Sequence, residues 1–179
     1  MALSLTMGSD GLTFNDPGNR RNMGKPFFFR AAKTDSVTVE SSWVTGLETG
    51  NFNIPKRSEL IAHYHYPVRN NSYSWGGGYT RMYYSVNDSA YILCGNLGYC
   101  RGAMGSGKYM ISGSDFQHAF DFSGMTSDFT IKFRYDHVVH DGTAYIGGDH
   151  GLSAAENSTY HGSGTPWQQY LTIQGWTYS

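Results

Sequence analysis

Between Phe129 and Val139 apolar and polar residues alternate: Phe129, Ile131, Phe133, Tyr135 and Val139 fall on one side, Thr130, Lys132, Arg134 and Asp136 on the other. A period of two sends successive side chains to opposite faces of an extended chain, so the stretch predicts a half-buried β-strand. At about eleven residues it is roughly twice the usual strand length, and its apolar face needs a sizeable opposing sheet. Each large side chain buried there contributes about 1.5 to 3 kcal/mol.

Other stretches can supply that surface. Ser36 to Trp43 alternates with Val37, Val39 and Trp43 on one side, and Phe52 and Ile54 form a short strand ended by Pro55. From Leu60 to Val68 the even positions Leu60, Ala62, Tyr64, Tyr66 and Val68 are apolar; His63 and His65 point the other way, and Pro67 assigns the segment to an edge. Ser74 to Tyr79 reads as a loop flanked by aromatics. Tyr83 to Val86 and Tyr91 to Cys94 bracket Asn87-Asp88, a hairpin signal. Lys108 to Ser112 and Phe116 to Phe122 read as two strands, Thr143 to Ile146 as another, and Gln169 to Trp176 as a closing strand inserted in a sheet. Turns recur every eight to twelve residues or so, the spacing of a sandwich or jelly roll. The expected fold is all-β: a jelly-roll-like β-sandwich body over 27–179 with an extended N-terminal arm over 1–26.

Composition agrees. Fourteen Tyr, ten Phe and 23 Gly suit pleated surfaces and tight turns, so almost no helix is expected. A net charge of -1 with 15% charged residues offers no basic field for phosphates, which argues against nucleic acid, and no membrane span is visible. The opening residues carry no secretory signal pattern, so synthesis in a cytoplasm is expected, and Cys94 and Cys100 are then expected as unpaired thiols.

The chemistry-bearing patterns are weak. Gly102 to Lys108 fits a phosphate loop, but Tyr109 replaces the metal-binding hydroxyl and no helix follows. Gly151 to Ala155 approaches a nucleophile elbow and lacks its second Gly. Asp115, Asp121, Asp128, Asp136, Asp141 and Asp149 are expected mostly in turns, bonded to backbone. His63 and His65 share a strand face, a pattern that can hold a transition metal; solvated histidines on an edge strand are the preferred reading, and neither a metal nor another cofactor is expected. No catalytic residues are assigned, and the chain is not expected to be an enzyme. Gly147 to Pro166 is long, polar and aperiodic, the kind of loop that often carries function. Trp75, Tyr79, Tyr160 and Trp167 fall in predicted loops, where aromatic faces can stack on sugar rings.

Gly8-Ser9-Asp10-Gly11-Leu12-Thr13-Phe14-Asn15-Asp16 resembles a short segment common in tail fibres and related virion proteins of bacteriophages, and the body resembles the jelly-roll-like tips of such fibres. There is no collagen-like, helical or β-helical shaft, so the resemblance implies a short appendage. It also implies attachment to other virion proteins through the arm, with Leu12, Phe14, Arg20 and Arg21 as anchoring residues. Binding of host surface glycan would fall to the loop aromatics, without catalysis. A capsid or neck decoration protein and a small polysaccharide-degrading enzyme are the alternatives. A homotrimer is expected, because a lean core and exposed strand edges at Leu60 to Val68 and at the C-terminus favour shared burial about a threefold axis.

Overall fold

The computed structural model describes residues 4–8, 11–15, 23–70, 76–101, 110–140, 142–147 and 168–178. Its strands are β1 (Ser4–Gly8), β2 (Gly11–Asn15), β3 (Met23–Lys33), β4 (Val37–Val39), β5 (Val44–Glu48), β6 (Phe52–Ile54), β7 (Ser58–Asn70), β8 (Gly76–Val86), β9 (Ile92–Arg101), β10 (Met110–Phe122), β11 (Phe129–Val139), β12 (Ala144–Ile146) and β13 (Gln169–Tyr178). No helix occurs among the described residues. The chain is an all-β sandwich of two antiparallel sheets.

The smaller sheet is built on β11, which occupies the span expected from its alternation. β8 pairs along one flank; β6 and then β5 follow one another along the other, and β9 lies outside β8. The turn joining β8 to β9 has Asn87 and Asp88 at φ 49° and 57°, the left-handed pair that a tight hairpin needs. The larger sheet runs β1-β2-β3-β13-β7, with β10 on the far flank of β7 and β12 and β4 continuing beyond the end of β13. Between the sheets, Tyr64, Tyr66, Leu171 and Ile173 meet Met82, Ile131, Phe133 and Tyr135, all fully buried.

Five expectations are corrected. The Leu60 to Val68 segment is not an edge: β10 pairs β7 throughout, while β13 covers Ser58 to His65 on the other side and β12 covers Val68 to Asn70. Pro67 is tolerated because its carbonyl, which accepts from Gly147 N at 2.9 Å, faces the gap between β13 and β12, where no ladder donor is needed. β13 lies between β3 and β7, so neither edge invoked for the homotrimer is open. The loop at Ser74 to Tyr79 becomes strand from Gly76 onward, and the two short strands at Lys108 to Ser112 and Phe116 to Phe122 are replaced by one, β10, from Met110. Finally, β4 stops at Val39, and Trp43 lies 38% exposed with the Arg81 guanidinium 3.8 Å from its ring centre.

Of the segment that carries the tail-fibre resemblance, Gly8 ends β1 and Gly11 to Asn15 form β2; Ser9, Asp10 and Asp16 lie outside the described residues. The β1–β2 hairpin joins the larger sheet through Phe14 opposite Met23 and lies outboard of β3. β3 already starts at Met23, so position 26 falls inside a strand. Phe27 and Phe29 of that strand pack on the core.

Candidate functional site

The outward face of the larger sheet is a lattice read directly from the registers. Across β3, β13, β7 and β10 the rows are Ala32–Tyr170–His65–Asp115, Arg30–Thr172–His63–Gln117 and Phe28–Gln174–Ile61–Ala119. The first two rows are polar; the third exposes Phe28 and Ile61. Directly opposed side chains in a sheet touch, and here they do. Asp115 Oδ1 lies 2.7 Å from His63 Nε2 and 2.9 Å from His65 Nδ1. His65 stacks on Tyr170 with centroids 4.8 Å apart, and the Arg30 guanidinium stands 5.0 Å over the same ring. Partial burial raises the Asp115 carboxyl, but hydrogen bonds from His65 and His63 outweigh it and hold the group below the usual carboxylate range.

Beside this stack a depression of about 270 Å³ is lined by Arg30, His65, Pro67, Gln168 and Tyr170. Arg30 has no acidic partner among the described residues. Asp115, Asp121 and Asp136 correct the expectation of turn aspartates, since all three are strand residues, Asp136 accepting from Thr45 Oγ1 at 2.8 Å. Asp121 and Asp128 do bond turn backbone, through Ser123 N and Lys56 N. Asp141 and Asp149 lie outside the described residues.

Of the aromatics expected to bind sugar, Tyr79 is on β8 rather than in a loop, 43% exposed and edge-on to His140 at 5.1 Å. Trp75, Tyr160 and Trp167 lie outside the described residues, as do Arg20, Arg21 and the Gly102 to Lys108 and Gly151 to Ala155 stretches. Leu12 and Phe14 are placed on β2.

A second polar cluster is sealed inside. The Tyr64 hydroxyl donates to Gln169 Oε1 at 2.6 Å, so its oxygen is left to accept from His137 Nε2 at 3.0 Å. The ring proton then sits on Nε2, and Nδ1 lies 2.9 Å from the Thr80 hydroxyl oxygen. Gln169 Nε2 donates to Ile146 O, and the Tyr66 hydroxyl lies 2.9 Å from Thr80 Oγ1. Burial, with help from the Lys33 charge, pushes His137 down to about 3. The cluster pins both sheets together and has no access to solvent. His137 was missed in the sequence although it shares parity with Phe133 and Tyr135; Gln169 likewise shares parity with Leu171 and Ile173. Cys94 is a free thiol, pushed up to about 12 by burial, so it is protonated at neutral pH and a poor nucleophile.

No family model and no curated protein matches the chain. Among solved structures, the chain is similar to one of the infectious bursal disease virus Gx strain (13% identity, TM-score 0.41), covering 98% of this chain and 44% of that one. A structure of the Gt strain matches at 13% identity and TM-score 0.41, covering 98% and 51%, and the VP2 subviral particle of the same virus at 12% and 0.40, covering 98% and 46%. The chain thus spans about half the length of these proteins. Likenesses at such scores carry no argument about strand connection or function.

Proposed function

We propose that the chain is a structural protein of a bacteriophage particle, of short tail-fibre type, held to the particle by its N-terminal hairpin and presenting its sandwich to host surface glycan. The observation that carries this reading is the hairpin. The segment resembling tail-fibre proteins forms an element outboard of the sandwich, and an outermost strand presents backbone donors and acceptors that another chain can pair. The polar half of the outer lattice, with Tyr170, Gln168 and Thr172 beside Arg30 and two histidines, has the mixture of ring faces and hydrogen-bonding groups that suits sugar hydroxyls. Self-association belongs to the same proposal, through β9 and β10, the outermost strands on the opposite side from the hairpin.

Particles made without the protein test this. Lost adsorption to host cells with intact heads is the expected result. Normal adsorption with fragile heads would replace it by a decoration role.

A further inference from the structure

We infer that the depression formed by Arg30, His65, Gln168 and Tyr170 is a subsite for a carboxylate-bearing sugar ring, a uronic acid or a chemically similar acidic residue of a glycan. The inference rests on the glycan-binding reading above and names its ligand class. Three features of the geometry select it.

The first is charge. Arg30 is exposed on β3, without an acidic partner among the described residues, and it borders the depression with its guanidinium 5.0 Å above the Tyr170 ring. The planar fork of a guanidinium matches a carboxylate in a bidentate way, and Tyr170 restricts where that fork can lie, so less side-chain freedom is lost on binding.

The second is how Asp115 is arranged. Asp115 is the outward carboxylate of the adjoining row, and its Oδ1 is already engaged by both His63 and His65. That keeps it on the far side of His65 from Arg30: the order across the face is Arg30, Tyr170, His65, Asp115. An incoming carboxylate therefore meets cation and ring before it meets the like charge.

The third is size and chemistry. About 270 Å³ is slightly below the range of pockets that take drug-sized ligands, enough for one hexose ring and too small for a long oligosaccharide. Among the lining residues Gln168 has both a donor and an acceptor and Pro67 is apolar, the combination that holds one ring by its hydroxyls and its hydrophobic patch.

The test uses the full chain and a matched pair of probes, methyl glucuronide and methyl glucoside, titrated at millimolar concentration while the Arg30 Nε–H and the His65 and Tyr170 ring signals are followed by NMR. The expected result is a saturable shift at all three residues with the glucuronide, at least tenfold weaker binding of the glucoside, and loss of that preference in Arg30→Gln at an unchanged melting temperature. Equal response to both probes, no saturable shift at these residues, or a preference that survives Arg30→Gln would overturn the subsite. Binding of the same variant to intact host cells separates this from the broader reading: cells still bound by Arg30→Gln, with no glucuronide effect on the parent, remove the subsite and leave receptor binding standing.

Discussion

Tyr64 and Tyr135 stack face to face across the two sheets with ring centres 3.9 Å apart, yet their hydroxyls fare oppositely. Tyr64 is held by Gln169 and His137, whereas the Tyr135 hydroxyl is buried without a hydrogen-bond partner among the described residues. Removing an oxygen from each should therefore act in opposite directions. Tyr64→Phe leaves two buried groups unsatisfied and is expected to cost about 1 to 3 kcal/mol, while Tyr135→Phe removes an unpaired hydroxyl and is expected to stabilise by up to about 1 kcal/mol. Urea denaturation of both variants checks this; equal losses would refute the distinction.

His137 makes stability depend on pH. Its folded pKa of about 3 lies below the unfolded value near 6.5, so the unfolded chain takes up the proton first as pH falls. Stability is full above about pH 6.5 and declines toward pH 3, with a loss of about 2 kcal/mol between pH 7 and pH 5. In His137→Gln that slope should shrink, whatever the variant's stability at neutral pH. An unchanged slope would show that other groups set it.

Gly46 and Gly50 separate crowding from chance. A Cβ on Gly46 would come within 2.6 Å of the His137 ring and 2.9 Å of Gln169 Oε1, and one on Gly50 meets nothing within 4 Å. Gly46→Ala is expected to cost about 1 to 3 kcal/mol and Gly50→Ala less than about 0.5 kcal/mol. Melting curves of the pair measure the difference directly.

Cys94, with its raised pKa and its Sγ directed at Met82 O at 3.2 Å, should resist alkylation in the folded protein and react fully once unfolded. Peptide mapping after iodoacetamide treatment at pH 7.5 reads both states. Rapid labelling of the native chain would contradict the burial.

Much of the sandwich was legible because strand parity is local. β11, β6, the β8–β9 turn and the inserted β13 follow from alternation and turn chemistry within a few residues of each other. What alternation cannot state is which strand lies beside which. Pro67 looked like an edge signal because its lost N–H is normally fatal in a sheet interior, and only the gap between β13 and β12 makes it harmless. The Arg30–Tyr170–His65–Asp115 order was hidden for the same reason: its members come from four strands, and the registers that align them depend on contacts distant in sequence. His137 differs, since its parity with Phe133 and Tyr135 was visible and only its polarity concealed that it belongs to the core.

The docking role proposed for the hairpin is tested most directly by offering the full chain, and a chain lacking residues 1–22, to particles assembled without the protein. The deletion spares β3 and the core pairing of Phe27 and Phe29, so the shortened chain should fold with a melting temperature close to that of the parent. The full chain is expected to co-sediment with particles and the shortened, folded chain is not. Equal incorporation of both would contradict the docking role.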